Sequence, residues 1–126
     1  MRKLLIDLCL RMAREKLQAH KDSFKHFSFI IQEGKILGYG FNKGTYASFR
    51  IPGYPLYSKI HSEMSAIKRA GTLRIRRPWS IINIRLNRLG EFRDSYPCPS
   101  CLHNLQILNC REIIYSTRNG LCKVNL

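Results

Sequence analysis

The sequence predicts an α/β domain of three layers, α/β/α, with a mixed sheet lying between helices. Amphipathic stripes of helical period alternate with short apolar runs, and those runs are bounded by Gly, Pro and Asn. A strand, helix, strand series in the C-terminal half adds a parallel crossover, which is expected to be right-handed. The chain has 126 residues of which 44% are hydrophobic, so one domain spanning residues 1–126 fits and a second has no room.

Leu5, Leu8, Cys9 and Met12 recur at three- and four-residue intervals among Arg and Glu, giving a first helix from about Arg2 to about Gln18. His26 to Gln32 is rich in Phe and Ile, Glu33-Gly34 supplies a turn, and Ile36 to Phe41 is again strand-like, so the pair reads as a hairpin. From Lys43 to Lys59 the periodicity vanishes and Gly44, Pro52, Gly53 and Pro55 break regular structure, which predicts a long loop of the functional or mobile kind.

Helical spacing returns at His61, with Met64, Ala66, Ile67 and Ala70 inside and Gly71 as its stop. Trp79 to Leu86 is a strand whose nearly continuous Ile81, Ile82 and Ile84 call for cover on both faces. After a turn near Gly90, Pro97 marks a helix start, and Leu102, Leu105 and Leu108 carry its buried stripe toward Cys110. Ile113 to Ser116 is a strand, Asn119-Gly120 a tight turn, and Leu121 to Leu126 a short last strand.

Composition narrows the function. Lys and Arg number 22 against 8 Asp and Glu, a formal net charge of +14, and such a field draws polyanions, nucleic acid before acidic membranes. The bland alternative is a merely basic surface. Apolar stretches are too short for a membrane span, and Asp7 and Arg11 interrupt what a signal peptide would need, so a soluble protein, cytoplasmic or associated with nucleic acid, is expected. Five cysteines leave one over in any disulfide scheme, which suits a reducing compartment.

Two segments carry chemistry: His61-Ser62-Glu63 opening one helix and Pro97-Cys98-Pro99-Ser100-Cys101 opening the next. Cysteines three apart at a helix start share a face, and the positive end of the helix dipole lowers their pKa toward the thiolate that binds metal. A catalytic zinc takes three protein ligands and leaves a fourth position for water, a count that His61, Cys98 and Cys101 meet. Glu63, one turn-start away, is then the group to move protons. Buried or redox cysteines with a capping His61 are the plain alternative, and a closed structural zinc would need His103 or Cys110 as a fourth ligand.

These residues resemble the H-x-E and P-C-x-x-C signature of the cytidine deaminase superfamily, over about residues 26 to 120. The resemblance implies a five-stranded mixed sheet with one zinc between two helices on one side. It implies a hydrolase acting on a C–N bond of a cyclic amidine, in which hydroxide attacks C4 of cytosine, Glu63 shuttles protons and ammonia leaves. It also places Asn42 where many members hold sugar or base edge, and the backbone of Ser62 against the pyrimidine amide. The stretch 85–90 through Ser116-Thr117 looks like small viral or microbial cytidine/deoxycytidylate deaminases.

The substrate follows from charge and loop. Phosphates neutralised along a strand release counterions, and a mononucleotide offers little to so many excess cations. Tyr46, Phe49, Tyr54 and Tyr57 are interleaved with Lys43, Arg50 and Lys59, a mixture suited to stacking unpaired bases along a backbone. Some of these rings can equally pack the loop on the core. Tyr96, Pro97 and Arg118 complete the expected substrate contacts, and a basic run at Arg74, Arg76 and Arg77 either extends the track or is a solvated edge. The expectation is a deaminase of single-stranded nucleic acid, DNA favoured, acting as a monomer. The alternatives are a pyrimidine-salvage deaminase of free cytidine, deoxycytidine or deoxycytidylate, completed by oligomerisation, and a non-catalytic nucleic-acid-binding module with zinc.

Overall fold

Alternation along one seven-residue strand decides which side of the sheet becomes the site. In the computed structural model, which describes residues 2–19, 26–41, 61–71, 73–74 and 76–126, that strand is β1 (His26–Gln32). Its Phe27 and Phe29 pack on one face with Cys9, Ala13 and Leu17 of α1 (Arg2–Ala19), while Ile30 goes into a separate cluster on the other. Successive strand side chains must point to opposite faces, so Ser28 is placed on the second face with Ile30.

β1 turns into β2 (Lys35–Phe41) through Glu33 and Gly34, both at positive φ, 53° and 73°, as a two-residue turn matching strand twist requires. On its other edge β1 pairs antiparallel with β3 (Trp79–Leu86), which runs parallel to β5 (Cys110–Thr117), and β6 (Gly120–Asn125) closes the order β2-β1-β3-β5-β6. The parallel pair is bridged by α3 (Pro99–Ile107), and α2 (Ser62–Arg69) lies over β2 and β1. With α1 on one face and α2 and α3 on the other, the expected three layers and mixed sheet are present.

Several boundaries differ from the sequence reading. A sixth strand, β4 (Phe92–Arg93), pairs with Arg85 and Leu86; two residues are too few for any periodicity to reveal. Both site helices begin later than expected, at Ser62 and Pro99, with His61 and Cys98 as the extended residues before them. Ala70, at φ −82°, caps α2 in place of a left-handed Gly71, and Asn109 at φ 67° follows α3 in the role usually given to glycine. β5 starts at Cys110, and the stripe of α1 centres on Cys9, Ala13 and Leu17, leaving Leu5, Leu8 and Met12 half-buried at its flanks.

Gly38 and Gly40, on one face of β2, let α2 approach closely. A Cβ on Gly40 would stand 2.4 Å from Ala66 N and 2.7 Å from Ser62 O, and one on Gly38 2.9 Å from Ala70 N. Two missing side chains thus set how near the first turn of α2 lies to the sheet, and that turn carries the site.

Candidate active site

Two helix starts converge over the polar face of β1 and β3. His61 has extended backbone, its carbonyl accepts from Ser65 N at 3.0 Å, and its imidazole does not cap its own helix. Instead Nδ1 lies 3.5 Å from Cys98 Sγ and 3.3 Å from Cys101 Sγ. Cys98 is the N-cap of α3, with Pro99 in the first turn, and its sulfur accepts from Cys101 N at 3.5 Å. The capping geometry therefore aims both sulfurs at one point.

The three ligand atoms all lie within 4.8 Å of one another, a group that could hold a metal ion. Zinc bonded to sulfur and imidazole nitrogen at about 2.3 and 2.0 Å sets tetrahedral edges of roughly 3.5 to 3.8 Å, which the nitrogen–sulfur distances approach. His103 is exposed and Cys110 directs its buried sulfur to Glu112 O at 3.4 Å, so neither joins the group among the described residues. A donor set of one imidazole and two thiols, three among the described residues, fits the open kind of zinc site.

Burial first, then the carboxylate of Glu63 and the neighbouring Cys98, push the Cys101 thiol far above its ordinary value. Burial therefore opposes the thiolate at Cys101, and a cation held on the sulfur would favour it. Cys9 and Cys110, also buried, are pushed up to about 12 and lie outside the group.

Glu63 is completely buried, and both of its oxygens are held. Ser62 Oγ donates to Oε1 at 3.2 Å and Asn83 Nδ2 to Oε2 at 3.1 Å. Asn83 stands opposite Ser28 in the β1–β3 register, and Ser28 Oγ donates to Asn83 Oδ1 at 2.7 Å while lying 2.7 Å from Ser62 Oγ. The four side chains close a ring. Ser95, also buried, donates from Oγ to Asn83 O at 2.9 Å and accepts from Ser116 N at 2.7 Å, fixing the approach to Pro97 and Cys98 against β3 and β5.

Of the expected site residues, His61, Glu63, Cys98 and Cys101 are brought together with Ser62, whose side chain serves the ring. Pro97 is buried beside Cys98, and Tyr96 is 46% exposed, edge-on to Tyr115 with centroids 5.1 Å apart. Arg118 is exposed in the β5–β6 turn. Asn42, Tyr46, Phe49, Arg50, Tyr54 and Tyr57, with Lys43 and Lys59, lie outside the described residues. In the basic run, Arg77 pairs with Glu33 at 2.8 Å and the backbone of Arg74 is tied to Gln32, so part of it serves the hairpin end.

Sequence reasoning missed Ser28, Asn83, Ser95 and His26. His26 neighbours Glu63, His61 and Arg85, and burial, the largest influence, holds its pKa below the ordinary value. The available signal was a polar residue in the middle of an apolar strand, as Asn83 is among Ile81, Ile82 and Ile84, since a buried amide needs partners.

The model of the cytidine and deoxycytidylate deaminase zinc-binding region matches residues 2–117. No curated protein sequence matches. Among solved structures, the dCMP deaminase of the cyanophage S-TIM5 in apo form is similar over 90% of this chain and 82% of its own, with TM-score 0.58 and 18% identity. The same enzyme in complex with dCMP and dUMP matches over 90% and 81%, with TM-score 0.58 and 16% identity. At that identity the likeness speaks for the fold.

Proposed function

This chain belongs to the cytidine and deoxycytidylate deaminase family, and from that premise we propose that it hydrolyses cytosine to uracil in single-stranded DNA or RNA. The observation that carries the chemistry is the meeting of His61, Cys98 and Cys101 with one another beside the helix turn that buries Glu63. When bound, zinc supplies Lewis acidity that makes water a nucleophile at neutral pH. The remaining work falls to side chains. Glu63 takes one proton from the water that adds at C4 and passes it to N3, then takes the second from the added hydroxyl and passes it to the amine, so that the C4–N bond breaks, the carbonyl forms and ammonia leaves.

The ring around Glu63 suits that traffic. Ser28 and Ser62 have two hydroxyl protons for three contacts, Ser28 to Asn83, Ser28 to Ser62 and Ser62 to Glu63. With Glu63 ionised one contact lacks a proton, and with a proton on Oε1 all three are filled once the hydroxyls turn. A proton arriving at Glu63 is thus received by a network already in place.

The polymer substrate rests on the net charge of +14, which gains most from a ligand with many phosphates. Asn42, Tyr46, Phe49, Arg50, Tyr57, Tyr96, Pro97 and Arg118 are proposed to contact it. A second reading, hydrolysis of deoxycytidylate, is favoured by the likeness to a phage enzyme whose structure holds dCMP and dUMP. Incubating the zinc-loaded protein with a cytosine-bearing single-stranded oligonucleotide and, separately, with cytidine, deoxycytidine and deoxycytidylate decides between them. Uracil in the oligonucleotide is the expected result; conversion of monomers alone removes the polymer, and uracil from none leaves a binding module.

A further inference from the structure

The polar face that holds Glu63 continues past it along β3. Asn83 faces the site, and Arg85, two residues on, emerges on the same face about 7 Å further toward the C-terminal end of the strand. There a cavity of about 570 Å³ opens between two turns, lined by Arg85, Arg88, Arg93 and Arg118, with Asp94 as the one acidic lining residue among the described residues. The chain leaving this cavity, Asp94-Ser95-Tyr96-Pro97, runs directly into Cys98. The cavity is therefore joined to the site by two separate paths, the face of β3 that holds Asn83 and the connection to α3.

Arg85 and Arg93 are cross-strand partners on β3 and β4, and the turns that carry Arg88 and Arg118 are held by side-chain hydrogen bonds. Asn87 Oδ1 accepts from Leu89 N at 3.0 Å and Glu91 N at 2.9 Å, Gly90 adopts φ 79°, and Asn87 Nδ2 donates to Glu91 Oε1 at 2.9 Å, engaging a carboxylate that does not line the cavity. At the other turn Thr117 Oγ1 donates to Gly120 O at 3.0 Å and accepts from Asn119 N at 3.2 Å, holding Arg118 between them. Among the described lining residues the four cations are all Arg. A planar guanidinium matches two oxygens of one anion at once, which is how phosphate is recognised rather than merely attracted.

We propose that the cavity bounded by Arg85, Arg88, Arg93 and Arg118 is a phosphate-binding subsite of the substrate cleft. The proposal rests on the deaminase reading for its placement in that cleft, and it adds the anchor that reading lacks. The phosphate it takes belongs either to the target nucleotide or to a flanking nucleotide of a strand.

The test separates a built subsite from the general field of a +14 protein. Binding of a fluorescent single-stranded oligonucleotide carrying one cytosine is followed by anisotropy across a salt series for the zinc-loaded wild type, for R85Q/R118Q, and for K3Q/R11Q. The last pair removes the same charge from exposed positions on α1, across the sheet. R85Q/R118Q is expected to bind at least about tenfold more weakly than K3Q/R11Q, and its salt slope to fall by about 0.7 per lost contact. R88Q/R93Q should repeat the effect, guarding against a local distortion in the first pair.

Competition by deoxycytidylate and by deoxycytidine names the source. If R85Q/R118Q loses deoxycytidylate as well as the strand, the phosphate is the nucleotide's own; if it loses only the strand, the phosphate is a flanking one. Either supports the subsite. Equal weakening in R85Q/R118Q and K3Q/R11Q, or no binding by wild type, overturns it. Uracil formation is measured apart: a selective binding loss with no uracil from any substrate would sink the deaminase reading and leave the subsite standing.

Discussion

The two faces of the β1–β3 ladder are one residue out of step and follow different rules. On the α1 side Phe27 is paired with Ile84 and Phe29 with Ile82, all buried, so that face is held by apolar area alone. On the α2 side the intervening pair is Ser28 with Asn83, and with Ser62 and Glu63 it buries four polar side chains. Such groups cost free energy unless every one finds a partner, and a core of the same shape built from apolar residues would be as stable or more so. The first face explains why the chain folds. The second is the face proposed to serve chemistry, and the pairing register that makes β1 a strand also delivers Ser28 and Asn83 to Glu63.

The largest expected effect breaks that comparison on its polar side without touching packing. Glu63→Gln keeps volume and partners but removes the group that carries protons, so turnover should fall by about 10² to 10⁴-fold, with zinc content and melting temperature near those of wild type. Uracil formation with metal analysis checks it, and an active Glu63→Gln protein would remove Glu63 from the mechanism. The mirror experiment is Phe29→Ala. It should cost about 3 to 5 kcal/mol in denaturant unfolding while the folded fraction keeps its rate per zinc.

A subtler pair of variants sharpens the contrast. Asn83→Leu leaves a buried carboxylate without one of its donors and should cost about 1 to 3 kcal/mol, together with a lower kcat at little changed KM. Adding Glu63→Leu removes the stranded partner, so the double variant, though inactive, should recover much of the lost stability, since replacing both members of a buried polar pair can be nearly neutral. Costs that simply add in urea titrations would mean that Asn83 and Glu63 are not coupled.

What could be read from the sequence divides along the same line. The apolar face was legible, because Phe27, Phe29, Ile82 and Ile84 announce strands by composition and Cys9 recurs in the stripe of α1. The metal group was legible as well, since His61, Cys98 and Cys101 lie in two short motifs at helix starts, with Glu63 in the first of them, where local sequence fixes local geometry. The ring was not. Ser28 and Asn83 are 55 positions apart, and only the pairing of β1 with β3 gives either a role. The arginine cavity is similar: Arg85 and Arg118 come together because β3 and β5 run side by side, and β4 at its edge is too short to announce itself.

Thiol chemistry supplies the smallest and most direct probe of the two faces. Cys9 on the α1 side and Cys110 under α3 are buried with pKa pushed up to about 12, so little of either thiolate is present at pH 8 and alkylation there should be slow with or without metal. Cys122 is exposed and should react at once in both states. Half-buried Cys98 is the residue whose behaviour depends on the ion, because zinc occupies the sulfur that alkylation needs, whereas Cys101 remains shielded by burial in either state. One fast-reacting thiol should therefore be counted by mass spectrometry in the zinc protein and two after chelation, with peptide mapping placing the new adduct on Cys98. An identical count before and after stripping would mean that the sulfurs at the start of α3 do not ligate the metal at all.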